Sequence, residues 1–470
     1  MNLLALRRDV LLPILELLTQ RDATQLARVN RAAHNLAMPS VLSRVSLGQR
    51  DDAAYWNPNA AIQRVTSFTS LVLKDADVCG HHIKSLTLHC VIFSQRGLEH
   101  LPLLEEAMRC LTNLRELAIA RTGTTLKHFP ALVEVVAGYE KLEYLKLQDV
   151  DAHTTPLLAR MTSRPREIFL EDVDHPFVFD CLRPHSGTLE VFRLVSSRGA
   201  LPPPNGDAWD RVHTLELSNW RVYPPVASLS HAFPHVLLLS IQATRFGRSP
   251  TEPASSQPFV WQSIDILELH RTSLNLVSPA RVLRVGDLDG DDQLTPNFLH
   301  YAQPVVLGLD VYSEDYWMPA LLEPSGRGLQ RLQYLSITRV NGMIFSGEDH
   351  KFYNRTSGGY DRRRSIIDTL GKLAGLQVPL RAISFGPQDA LPTSMESMAS
   401  FVAGLFPTIE FVGFGHYEYR RFLPVFVPSK WYRVGRARSE EDGLIAQAVN
   451  PVETARITRY LEELGRSPSQ

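Results

Sequence analysis

Leu142-Glu143-Tyr144-Leu145-Lys146-Leu147 carries apolar side chains at its first, fourth and sixth positions. The last two are separated by a single residue, the alternation of a strand that turns one face to a core. The same spacing recurs at Ile83/Leu86/Leu88, Leu114/Leu117/Ile119, Leu189/Phe192/Leu194, Val212/Leu215/Leu217, Val236/Leu239/Ile241 and Ile264/Leu267/Leu269. It continues at Leu332/Leu335/Ile337, Leu380/Ile383/Phe385 and Ile409/Val412/Phe414, with weaker forms at Ile168/Leu170, Leu283/Val285 and Leu307/Leu309. Units starting at 142, 165, 189, 212, 236 and 264 are separated by 23, 24, 23, 24 and 28 residues. One such match is an accident of composition; a series at near-constant intervals is an architecture. No short strand can bury its apolar side alone, so neighbours must stack, and the segments 103–110, 132–139, 366–373 and 395–405 read as outer helices.

This period resembles that of leucine-rich repeats, and the resemblance implies an α/β fold built as an irregular leucine-rich-repeat solenoid over residues 83–414. The position after the strand that often holds asparagine is here Val91, Thr122, Val150, Thr244, Thr272 or Val340, so turns of varying length are expected. Proline- or glycine-bearing insertions fall near 198–210, 247–258 and 341–361, the last read as disordered. Between the last two apolar residues of each unit lies an outward position. It holds Thr87, Ala118, Lys146, Phe169, Arg193, Glu216, Ser240 and Glu268, then Arg284, Gly308, Ser336, Ser384 and Gly413. The early part mixes charge with an aromatic. An exposed Phe169 beside Tyr144, Lys146, Glu167, Glu171 and Arg193 has the composition of an interface hot spot, the candidate surface for a client protein. The small late residues leave room for the C-terminal segment to lie across them.

The first fifty residues follow a different period. Leu6, Val10, Leu11, Ile14, Leu17 and Leu18 fall three and four apart, predicting a helix with one buried stripe. Asp22 and Gln25 have the spacing of a reciprocal N-terminal cap, and Leu26, Val29, Ala33 and Leu36 continue a second apolar face that Pro39 is expected to close. With Leu6, Asp9, Val10, Leu11, Ile14, Leu18, Asp22, Leu26, Val29 and Arg31 in register, residues 1–50 resemble the F-box of fungal F-box proteins. Arg7, Ala23 and Ala33 stand where that motif has proline, leucine and tryptophan.

The resemblance implies a substrate-recognition subunit of an SCF-type cullin-RING ubiquitin ligase. Its Skp adaptor would be bound through Leu6, Val10, Leu11, Ile14, Leu18, Leu26 and Val29, and an unidentified client protein through the repeat surface. The other readings are a repeat scaffold outside any ligase, with residues 1–50 as a helical cap, and nucleic-acid binding through the basic, aromatic run 417–438. That run, with Arg420, Arg421, Lys430, Trp431, Tyr432, Arg433, Arg436 and Arg438, reads first as part of a C-terminal cap over 415–470; residues 51–82 read as a linker or N-terminal cap.

Bulk properties remove other classes. Forty-nine Lys and Arg against fifty Asp and Glu give a net charge of -1, so no global field favours nucleic acid or an anionic membrane. Arg7, Arg8 and Asp9 interrupt the apolar N-terminus before it forms a signal sequence, and no membrane span is expected. The four cysteines lack metal or disulfide spacing, which fits a cytoplasmic or nuclear protein. No phosphate loop, metalloprotease helix or nucleophile elbow occurs, so neither a cofactor nor catalysis is expected. His81 and His82 beside Cys79 read as boundary residues, Asp287 to Asp292 as a solvated acidic turn, and Asn354 as an unused glycosylation acceptor.

Overall fold

A computed structural model of the chain describes residues 7–48, 58–89, 101–174, 178–196, 208–220, 226–243, 261, 264–270, 278–286, 298–310, 327–338, 343–345, 352–354, 370–386, 395–420, 423–436 and 444–466. The fold is mixed α/β and falls into two compact units, residues 1–212 and 213–470. Among the described residues no helix is long and apolar enough to cross a membrane.

In unit 1 the strands β1 (Arg44–Leu47), β2 (Ser85–Leu88), β3 (Glu116–Ile119), β4 (Tyr144–Val150), β5 (Glu167–Val173) and β6 (Val191–Val195) pair in chain order, all parallel. The middle apolar residue of every unit is in register with the next: Leu86, Leu117, Leu145, Ile168 and Phe192 form one row, and each is at most 1% exposed. Parallel neighbours need a crossover, supplied here by helices such as Leu101–Arg109, Ala131–Ala137 and Thr155–Arg160. The stretch read as a linker or N-terminal cap contains a helix, Pro58–Lys74, and Arg44–Leu47 of the N-terminal fifty residues is already a strand of this sheet.

Two residues beyond the last core position of five strands the backbone is left-handed. Arg121, Asp149, Asp172, Ser196 and, in unit 2, Asn219 have φ between 50° and 62°. Asp and Asn tolerate that region better than other non-glycine residues. The next position, where asparagine was sought in the sequence, instead faces inward: Thr122 and Val150 are both fully buried, and the Thr122 hydroxyl donates to the Ile119 carbonyl at 2.9 Å. The turn signal therefore sits one residue earlier than the sequence reading placed it. Val91, Thr244, Thr272 and Val340 lie outside the described residues.

Unit 2 continues the pattern with β7 (Thr214–Trp220), β8 (Leu238–Ala243), β9 (Ile264–His270), β10 (Ala280–Gly286), β11 (Val306–Asp310), β12 (Tyr334–Thr338), β15 (Ala382–Phe385) and β16 (Phe411–Arg420) in parallel. The direction then reverses. β17 (Leu423–Arg436) and β18 (Leu444–Ala448) add antiparallel to the edge, followed by a helix, Pro451–Glu462. Inside the insertion expected to be disordered, β13 (Met343–Phe345) and β14 (Phe352–Asn354) form a two-stranded antiparallel hairpin, which gives residues 343–345 and 352–354 the backbone partners that a disordered loop lacks. The other two insertions lie almost wholly outside the described residues, as do Asp287 to Asp292.

The N-terminal residues form three helices, α1 (Arg8–Glu16), α2 (Gln20–Ala27) and α3 (Arg31–Leu42). The α2 cap differs from the expected Asp22/Gln25 pair: the Thr19 hydroxyl accepts from the Asp22 amide at 3.2 Å and donates to its carboxylate at 2.6 Å. Thr19 prevails because it stands one residue before the helix, where a side-chain oxygen reaches the third amide. Asn30 starts α3 in the same way, accepting from the Ala33 amide at 2.8 Å, so the stretch read as one face spans two helices. Pro39 lies inside α3, which continues for three residues to Leu42; the missing donor costs a single bond, and Leu42 still reaches the core.

Candidate functional site

Alternation along β5 turns Glu167, Phe169 and Glu171 to the front of unit 1, and register places Tyr144, Lys146 and Gln148 of β4 on one side and Val191, Arg193 and Val195 of β6 on the other. The six proposed client-binding residues thus share one face across three adjacent strands. They are joined diagonally. Lys146 Nζ is 3.1 Å from a Glu171 oxygen and 4.3 Å from the centre of the Phe169 ring, and the Arg193 guanidinium pairs with Glu167. The result is a cross with an aromatic at its centre, a base on either side and an acid at either end.

Phe169 itself is 7% exposed, which corrects the expectation of an exposed anchor. Lys146 lies over its ring and Arg193 stands beside it in register on β6, as long charged side chains do when apolar surface lies beside them. What faces outward is the rim of paired charges with Tyr144 half-buried next to Glu167. A partner here meets a net-neutral pattern of paired charges, suited to orientation by charge complementarity.

The adaptor-docking candidates divide. Leu11 is buried, Ile14, Leu18 and Leu26 are half-buried, and Val10 and Val29 are 48% and 67% exposed; Leu6 lies outside the described residues. The stripe expected to be buried as a whole is split, because Leu15 rather than Val10 accompanies Leu11 into the core. Leu17, seven residues after Val10 and so on the same side of α1, is 86% exposed. Ala23 and Ala33, two of the three departures from the F-box pattern, are fully buried, and the third, Arg7, is exposed. The Gln20 side chain donates to the carbonyls of Val41 and Arg44 at 3.2 and 2.6 Å, tying α2 to the end of α3 and the first strand.

In unit 2 the front carries a second row that the sequence reading passed over, one residue before each middle leucine. In register these are Thr214, Leu238, Ile266, Val282, Val306, Tyr334, Ala382 and Phe411. Their apolar character was legible in the sequence, and it marks a face that must be covered. The cover is the helix Pro451–Glu462 with the turn after it: Ile457, Leu461 and Leu464 pack with Val282, Val305, Val306, Tyr334, Ala382 and Trp431. Arg281 donates to the carbonyls of Glu462 and Leu464 at 2.6 and 3.0 Å, and to Asp265 at 2.5 Å.

Beneath it the small residues form a polar strip. The Tyr334 hydroxyl is 2.9 Å from Ser384 Oγ, which donates to Ser336 at 3.0 Å; burial pushes the phenol up to about 12 despite those bonds. Burial also acts to raise the Glu268 carboxyl, but the Arg284 guanidinium 2.6 Å away, together with His270 and the Ser240 hydroxyl, outweighs it and holds Glu268 below its ordinary value. Gly413 is required where it stands: a β-carbon would come within 2.7 Å of the Trp431 ring, its register partner on β17.

Trp431 is fully buried with its indole N–H donating to Thr458 at 3.1 Å, and Tyr432 is buried as well. Neither of these two rings is available to stack on a base, which removes both from the nucleic-acid reading of the C-terminal run. Cys79, Cys110 and Cys181 are free thiols, and no group of metal-ligating side chains occurs among the described residues. The chain matches no protein-family model and no curated protein sequence.

Proposed function

We propose that the protein is a substrate-recognition subunit of an SCF-type ubiquitin ligase, its N-terminal helices docking a Skp adaptor and its leucine-rich-repeat-like solenoid presenting the cross around Phe169 to a client. The observation that carries the reading is the exposure of Val10, Leu17 and Val29 on a helical module that already has its own core of Leu11, Leu15, Ala23, Ala33 and Ala37. Three large apolar side chains left in water on one small module are suited to a partner. Acting by proximity, such a receptor needs no catalytic group: it raises the local concentration of client near the ubiquitin donor.

The competing reading, a repeat scaffold with a helical cap, is favoured by the Gln20 bonds that tie these helices to the first strand. Co-expression with a fungal Skp adaptor separates the two. Wild type is expected to co-purify, and Val10→Asp with Leu17→Asp, both at exposed sites, is expected to keep its melting temperature while losing about thirty-fold or more in affinity, as hot-spot residues do. A folded wild type that ignores the adaptor leaves the scaffold reading standing.

A further inference from the structure

We infer that the front of unit 2 is a groove for an amphipathic helix, and that residues 450–466 are its built-in occupant, displaceable by a partner helix of the same pattern. The inference does not depend on adaptor docking. The occupant crosses the strands in reverse order. Glu453 pairs with Arg433 on β17, Tyr460 lies under the guanidinium of Arg381, the residue before β15, at 5.5 Å, and Arg466 reaches Asp265 of β9 at 3.6 Å. From β17 to β9 are six inter-strand steps, about 29 Å at sheet spacing; the twelve-residue helix covers about 18 Å of this, and the turn after it with the long Arg433 and Arg466 side chains covers the rest.

The seat is narrow. From the helix and its following turn only Thr454, Ile457, Leu461 and Leu464 are buried, while Val452 and Tyr460 remain exposed. The sheet keeps a separate core on its other side, where Leu267, Leu283, Leu307, Leu335, Ile383 and Val412 form a fully buried row of register partners. Lifting the helix therefore leaves a folded sheet with an uncovered apolar strip, the condition for opening below the global unfolding limit. Exposed ion pairs at both ends set the direction of the occupant more than its affinity. A competitor needs apolar residues at the spacing of Ile457, Leu461 and Leu464, an acid four residues before the first, and an aromatic three after it, the grammar of helix-in-groove recognition.

The test uses the full chain and a labelled synthetic peptide of residues 449–466. In the wild type, amides of residues 454–464 should exchange with solvent about ten-fold or more faster than those of β12 and β15, and the peptide should bind weakly because the open form is scarce. Full-length chain carrying Ile457→Asp and Leu461→Asp should stay folded and bind the wild-type peptide about ten-fold or more tighter than the unmodified chain does, and a peptide with Leu461→Asp should not bind. Equal protection of the helix and the strands in the wild type overturns the inference, since the helix then opens only with the whole unit. A doubly substituted chain that unfolds, or folds and ignores the peptide, overturns it as well.

Discussion

On β5 the outward residues are Glu167, Phe169 and Glu171; on β12 they are Tyr334 and Ser336, and the two regions solve the same problem differently. A parallel sheet exposes a front as well as a back, and the apolar residues on that front must be kept from water. In unit 1 the central aromatic, Phe169, is shielded from within the sheet, with Lys146 over its ring and held by Glu171, and with Arg193 beside it paired to Glu167. In unit 2 apolar residues recur on strand after strand, too many for neighbouring side chains to shield, and a helix is laid across them. The density of apolar residues in one outward row decides whether a face stays open for a partner or acquires a cover.

The largest effect should come from the covered face. Trp431→Ala removes a fully buried indole that touches the sheet, the helix and the space over Gly413, and a loss of about 3–5 kcal/mol in unfolding free energy is expected from urea titration. Phe169→Ala on the open face should cost less, about 3 kcal/mol, because the two basic stems can collapse into part of the space. Phe169→Leu should cost under about 1.5 kcal/mol. If Phe169→Ala costs as much as Trp431→Ala, the two faces are equally sealed and the contrast fails.

The part of the fold that repeats was legible in the sequence. The spacing of Leu142, Leu145 and Leu147 set both strand direction and register, because one inward residue per unit repeats along the array. The turns were read one position late: Val150 and Thr122 look like turn residues only until burial shows them pointing inward, while Asp149 and Asp172 carry the left-handed conformation. For the candidate site, alternation identified all five residues of the cross and Tyr144 beside it, but not the burial of Phe169, which depends on neighbours from adjacent strands and not on any one strand. The helical module failed differently. Val10 and Leu17 share the spacing of core residues, and periodicity cannot distinguish an apolar face that is buried within the chain from one left for another molecule.

The smallest of these effects concerns acid and separates the units by a titration rather than a truncation. His185 in unit 1 is fully buried; its Nε2–H donates to the Leu158 carbonyl at 3.0 Å, and Nδ1 is enclosed without a partner among the described residues. Burial lowers its pKa below the ordinary 6.5, Arg164 adding to the effect and the bond to Leu158 opposing it. The native state thus holds its imidazole neutral through a range in which the unfolded chain takes up a proton. Between the lowered value and about 6.5 the unfolded state binds more protons, so stability rises with pH there and falls as pH drops through that window. Unit 1 should lose stability on acidification from pH 7.5 to 5, read by urea midpoints, and His185→Gln, which keeps a neutral donor for Leu158, should flatten that slope. An unchanged slope in the variant would assign the acid sensitivity to another group, His82 first, since burial and the nearby charges of His81 and Lys84 lower it in the same direction.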